Sequence, residues 1–308
     1  MIRNYMQAKR SPRRDFKIAV FLMLMSGISF ALMNLFSRLT GDIPSLQKTF
    51  YRNIVVFIVS LITLRISLKK KPRKLYSQKA DIGWLILRSA FGTVGLVAVF
   101  FTMDRLPIAI ASVLHKLSPF FTIIFAAIFL KEKVNKSQII GILLAFIGVL
   151  FITRPSQASS IKDPFAIFVG IIGGLGAGLA YTTVRFLGKR KVDSQFMVCF
   201  FAGFSCLVIL PYLIFHHSPM TWKQFLGLLL VGVAGLAGQY GLTFAYTLAS
   251  PKEISIYDYS NVLFTTLLGI VVLQQIPNFY DVLGILIVFI ALLTMFLYNQ
   301  KEASVLQE

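Results

Sequence analysis

The chain has 308 residues, 56% of them hydrophobic, with 31 Lys and Arg against 12 Asp and Glu, a formal net charge of +19 and a mean hydropathy of +0.76. That apolarity excludes an ordinary soluble domain. The basic residues sit between apolar blocks and form no basic face of a soluble fold, so nucleic acid is excluded as a partner and an anionic inner leaflet is indicated instead.

In chain order, a basic tail (1–16) is followed by ten apolar blocks. These predict helices at 17–37, 46–67, 82–103, 107–130, 137–153, 164–186, 193–215, 222–246, 252–274 and 279–299, before a short tail at 300–308. About twenty apolar residues suffice for a helix to cross the bilayer core. The first block follows the basic stretch Lys9–Lys17 as a signal peptide would, but it is long, lacks a clear small-residue cleavage site and has nine counterparts, so it reads as a retained helix. Between helices three and four, Met103-Asp104-Arg105-Leu106-Pro107 is a tight turn, with Pro107 suited to a first helical turn. Cys199 and Cys206 share one helix at about 10 Å of rise, too far for a disulfide, and read as packing residues.

With the N-terminus inside, cytoplasmic segments hold 22 Lys and Arg and the outer segments 6. This bias places both termini in the cytoplasm. Residues 101–150 align without gaps on 244–293, a shift of 143, with twelve identities that include Phe101/Phe244, Ser112/Ser255, Gly141/Gly284 and Leu150/Leu293. The expected fold is therefore an all-α integral membrane protein of two five-helix repeats, 17–154 and 155–299. Five helices per half is odd, so the second repeat inserts upside down. Inverted repeats are the usual architecture of carriers with alternating access. Gly170, Gly174 and Gly178 on helix six, and Gly232, Gly235, Gly238 and Gly241 on helix eight, make smooth stripes for close helix approach, either as static packing or as a rocking interface.

The segment Leu106-Pro-Ile-Ala-Ile-Ala-Ser through Leu117-Ser-Pro-Phe-Phe-Thr to Phe129-Leu-Lys-Glu-Lys-Val resembles the EamA family of the drug/metabolite transporter superfamily, as do Phe50-Tyr51-Arg52 and Ile152-Thr-Arg-Pro155. The resemblance covers nearly the whole chain and implies a ten-helix metabolite carrier of the cell membrane. Leu87-Arg88-Ser-Ala-Phe-Gly92 and the Lys-Glu-Lys stretch look like the branch containing S-adenosylmethionine carriers. Gln275 stands where the family usually has Glu, and Val262 where it has Pro. The second half is therefore expected to lack the helix break that Pro119 implies in the first.

Ionisable residues inside a bilayer are functional candidates by default. Here they are Arg52, Arg88, His115, Lys116 and Asp258, a surplus of +2 with His115 neutral. His115 and Asp258 are repeat mates, each preceded by a Ser three residues earlier and so on the same helix face. Either could be a coupling group that exchanges a proton, or Asp258 could form a structural ion pair with Lys116 or Arg88. Tyr257, Asp258 and Asn261 belong to the most polar stretch of any predicted helix. Asn34, Gln239 and Tyr240 are lesser lining candidates, since such residues are more often interhelical hydrogen bonds. Arg52, Arg88 and Lys116 either snorkel toward the membrane interface, as long side chains can, or face a cavity, where they suit a carboxylate or phosphate. No His-Glu-x-x-His, phosphate loop, cysteine cluster or nucleophile motif is present, so neither an enzyme, a metal site nor a cofactor is expected. The expected partners are a small polar metabolite, amino-acid-like or nucleotide-like, and a proton or exchange substrate. A channel or a membrane-embedded receptor is the alternative class.

Overall fold

A computed structural model describes residues 12–131, 136–153, 163–249, 254 and 257–305. The described helices are α1 (Pro12–Leu39), α2 (Ser45–Lys70), α3 (Ala80–Arg105), α4 (Ile108–His115), α5 (Ser118–Leu130), α6 (Lys136–Thr153), α7 (Pro164–Lys189), α8 (Ser194–His216), α9 (Trp222–Leu248), α10 (Ser260–Val271) and α11 (Phe279–Val305). Taken together, α4 and α5 form one broken span, Ile108–Phe129. Seven helices are long and apolar enough to cross a membrane, and three shorter apolar ones complete the ten.

Helix starts follow from local chemistry. The carboxylates of Asp163 and Asp193 accept from the amides of Ala166 and Phe196, and Thr221 with Gln224 forms a reciprocal capping box. Each satisfies amides that a helix start leaves without a partner.

The packing carries the two-fold relation of the repeats. α1 lies on α9 as α3 lies on α7, α1 meets α10 as α5 meets α7, and α2–α8 and α6–α11 pair across the axis. Gly173 and Ala177 approach Gly95 while Gly170 approaches Thr102, so α3 and α7 run antiparallel. The stripe on α7 faces the broken span: a Cβ on Gly174 would lie 2.9 Å from the Leu114 carbonyl oxygen, and one on Gly178 2.6 Å from Phe121 Cβ. The stripe on α9 faces α1 and α2, meeting Val55, Arg52 and Phe30. Small residues let these backbones touch, which is how helices pack where lipid supplies no hydrophobic drive.

Pro119 cannot continue the ladder and its ring would strike the carbonyl of residue 115, so the span breaks at Lys116 and Leu117. The expectation that the second half lacks a break is overturned: Tyr259, the repeat mate of Lys116, is a turn residue before α10. No proline makes this break. Its polar run is instead drawn into tertiary hydrogen bonds, Tyr259 Oη donating to the Lys116 carbonyl and Asn261 Nδ2 to the Gly27 carbonyl at 3.1 Å. The two breaks thus meet each other across the pseudo-two-fold axis.

Polar clasps close both ends of the bundle. At the end carrying the α2–α3 and α7–α8 loops, two ion pairs run in opposite senses, Arg73–Asp193 at 2.6 Å and Arg190–Asp81 at 2.5 Å. At the other end Lys48 meets Asp104 at 2.5 Å and Arg105 meets Asp163 at 2.8 Å, while Gln47 exchanges two hydrogen bonds with Ser218. The basic positions Lys133, Arg154, Lys162 and Lys252 lie outside the described residues, as does Ser255, the mate of Ser112.

A buried cationic cavity as candidate functional site

Where the breaks face α1, α2, α3 and α7–α9, the helices line a partly open cavity of about 60 Å³. By this measure one water needs about 10–15 Å³, so the space holds a few waters and no metabolite. Seven residues singled out in the sequence line it: Asn34, Arg52, Arg88, His115, Lys116, Gln239 and Asn261.

Arg52 is fully buried and does not snorkel. Its guanidinium donates to Asn53 Oδ1 at 2.5 Å, to the Gly235 carbonyl at 3.0 Å and to Gln239 Oε1 at 3.3 Å, leaving Nε without a partner. A Cβ at position 235 would lie 2.5 Å from Arg52 Nε, so any larger residue there would have to displace the guanidinium. Arg88 is 2% exposed and lies over the Phe201 ring at 3.9 Å, with Nε and Nη1 unpartnered among the described residues. Arg52 reaches the same ring at 5.9 Å. Among the described residues neither arginine has a carboxylate partner. Two guanidiniums around one phenylalanine recover part of their lost hydration as cation–π attraction, yet they remain two uncompensated charges in the bundle interior.

Lys116 differs. Its Nζ lies 2.7 Å from Asp258 Oδ1, with side-chain exposures of 2% and 0%. The pair is close but not aligned as a hydrogen bond, and neither Asp258 oxygen has a hydrogen-bond partner among the described residues. Of the two partners expected for Asp258, the structure selects Lys116 over Arg88. Among the described residues His115 Nδ1 and Asn34 Oδ1 are buried without hydrogen-bond partners, and Asn34 Nδ2 reaches Ser112 Oγ at 3.5 Å.

Asp258 therefore stands behind Lys116 and does not line the cavity. Tyr240 and Tyr257 also lie elsewhere. The Tyr240 hydroxyl is 3.1 Å from Thr63 Oγ1, and Tyr257 packs edge-on to Phe16. The cavity holds three aromatic residues that sequence reasoning missed, Phe30, Phe201 and Tyr181, the last stacked on Tyr246 at 5.2 Å. Phe201 carried no signal, as one of 29 phenylalanines. Tyr181 did, as a hydroxyl three residues past the α7 glycine stripe.

This arrangement, buried cations at a repeat interface between broken helices, fits a membrane carrier. The sequence matches the EamA-like transporter family over residues 17–154 and 164–297. The chain belongs to that family. Its members in this comparison are transporters of the drug/metabolite superfamily, so this is a multi-pass transmembrane transporter. An uncharacterised transporter of Helicobacter pylori is 27% identical over 90% of this chain and 93% of its own. The pseudopaline exporter CntI of Pseudomonas aeruginosa is 26% identical over 91% of this chain and 96% of its own, and mouse solute carrier family 35 member G1 is 25% identical over 89% and 77%. A crystal structure sharing 15% identity superposes with a TM-score of 0.63, covering 90% of this chain and 98% of that one, which shows a common fold.

Proposed function

We propose that this transporter is a secondary carrier of a small organic anion working by alternating access. The observation that carries the reading is the pair Arg52 and Arg88, buried at the cavity with no carboxylate among the described residues. Desolvated charge is retained inside a bilayer when it serves a substrate or ion path, and guanidinium is suited to forked recognition of carboxylate or phosphate. Lys116 and Asp258 neutralise each other and tie the two broken spans together. The cavity of about 60 Å³ is too small for a metabolite, so cargo enters when the helices around it part, and the ion pairs at the two ends of the bundle are the contacts that would have to yield. The 22 to 6 charge bias supports cytoplasmic termini in the cell membrane.

Asp258 favours a second role within the same cycle. Its carboxylate lacks an aligned hydrogen bond, so proton binding there would release Lys116 and loosen the contact between the breaks. Asp258→Asn should then keep exchange but lose pH-driven accumulation.

A thermal-shift screen of the purified protein against a metabolite library tests the main reading. A ligand at a hundredfold excess over its dissociation constant adds about 2.7 kcal/mol of apparent stability. Organic anions should raise the melting midpoint, and proteoliposomes should show saturable counterflow of the same compounds. A shift by neutral or cationic compounds alone, or a non-saturating conductance, would reject the anion-carrier reading.

A further inference from the structure

The cavity's charge balance specifies the cargo further and fixes how it is moved, and this step rests on the anion reading above. Three cations line the cavity, Arg52, Arg88 and Lys116. Asp258 cancels one of them at 2.7 Å. With His115 neutral, the empty site keeps two positive charges, both buried, and among the described residues no carboxylate reaches either. What they have instead is the Phe201 ring, the Gly235 carbonyl and the amides of Gln239 and Asn53. These offset part of the lost hydration and none of the charge.

We infer that this chain is an exchanger of doubly charged organic anions, such as dicarboxylates or phosphate monoesters, and that the empty carrier crosses between its two faces only slowly. An open cavity hydrates both guanidiniums. To change sides, the carrier passes through a closed state in which the cavity keeps few waters and two unpaired charges are held in low dielectric, a heavy cost. A bound dianion removes that cost and brings the site to neutrality. A monoanion or zwitterion leaves at least one charge uncompensated. Each side change then carries cargo, and inward and outward movements are locked one to one. Because reorientation is governed by the occluded state, the effect is on rate and not on the resting preference for either face.

Two measurements on the full-length protein test this. In proteoliposomes, uptake of labelled succinate and glycerol phosphate is compared with that of lactate and leucine, into vesicles that are either empty or preloaded with the same compound. The inference predicts that the dianions move and the others do not. It also predicts that preloading speeds dianion uptake at least about tenfold, which is about 1.4 kcal/mol of barrier. Arg52→Lys/Arg88→Lys, which keeps charge and loses the fork, should weaken affinity yet still require preloading. Arg52→Gln/Arg88→Gln should abolish dianion uptake.

The second measurement needs no cargo. Dyes on Phe165→Cys and Trp222→Cys, both highly exposed at the starts of α7 and α9, report opening by single-molecule fluorescence. The native cysteines are buried. Without ligand, the Arg52→Gln/Arg88→Gln carrier should switch at least about tenfold faster than the wild-type residues at 52 and 88 allow. Monoanion transport, or equal dianion uptake into empty and preloaded vesicles, would overturn the inference while leaving the anion reading intact. Transport of leucine alone, with unchanged switching in the double variant, would overturn both.

Discussion

Asp258→Asn keeps the side chain's shape and removes the charge that faces Lys116. The separation is 2.7 Å and both groups are out of solvent, so the attraction is about 4–6 kcal/mol at an effective dielectric constant of about 20. Most of that offsets desolvation, and what the variant exposes is an unpaired buried ammonium, a loss of about 3–5 kcal/mol. Lys116→Met should lose a comparable amount by stranding the carboxylate. Replacing both should restore part of the loss, because no charge is left buried alone, and the double variant should be more stable than the sum of the singles by about 1–3 kcal/mol. The assay is reversible unfolding in bicelles followed by tryptophan fluorescence. Single losses that add to within about 0.5 kcal/mol would show that the two groups do not interact. Wild-type stability in Asp258→Asn would remove the basis for treating the contact as the tie between the broken spans.

Gly178→Val puts a branched side chain against Phe121 Cβ, 2.6 Å from where its own Cβ must sit, and should cost about 1–3 kcal/mol in the same assay, whereas Gly83→Ala, which meets nothing within 4 Å, should cost well under 1 kcal/mol apart from helix propensity in its favour. Asp163, outside the spans at the start of α7, is held below the usual carboxylate range first by the Arg105 guanidinium and then by the Ala166 amide. A depressed carboxylate supports the fold above its unfolded value of about 3.9 and loses that support as pH falls through its folded value, so amide exchange at Phe165 and Ala166 should quicken only below about pH 4, and Asp163→Asn should remove the dependence. Cysteines introduced as Leu75→Cys and Arg190→Cys should be labelled only from the cytoplasm and Ser160→Cys only from outside, with reversed labelling overturning the proposed orientation.

The spans were legible because hydropathy at bilayer length is a strong signal, whereas their starts were set by caps that the sequence analysis did not use, such as Asp163 and Thr221-Gln224. The polar cavity was legible for a related reason: in helices this apolar, Arg52, Arg88, Lys116 and Asp258 stand out, and their costs force them inward. The break at Tyr259 was not legible from proline, since Val262 stands where Pro119 stands in the first repeat. It arises from hydrogen bonds to Lys116 and Gly27, residues 143 and 234 positions away. Phe201 was hidden because an aromatic ring facing a cavity and one facing lipid look alike in sequence. Tyr240 took the interhelical hydrogen bond that the sequence had left open, to Thr63, and Tyr257 lies away from the cavity against Phe16, because a tyrosine in a span packs on a neighbouring helix as readily as on cargo.

Arg52 and Arg88 are the residues proposed to hold the anion. Counterflow of labelled organic anions into preloaded proteoliposomes, compared between the natural sequence and Arg52→Gln/Arg88→Gln at matched melting midpoints, measures this directly. The structure predicts saturable uptake that the double variant loses. Undiminished uptake in that variant would contradict the assignment of these two arginines to the cargo.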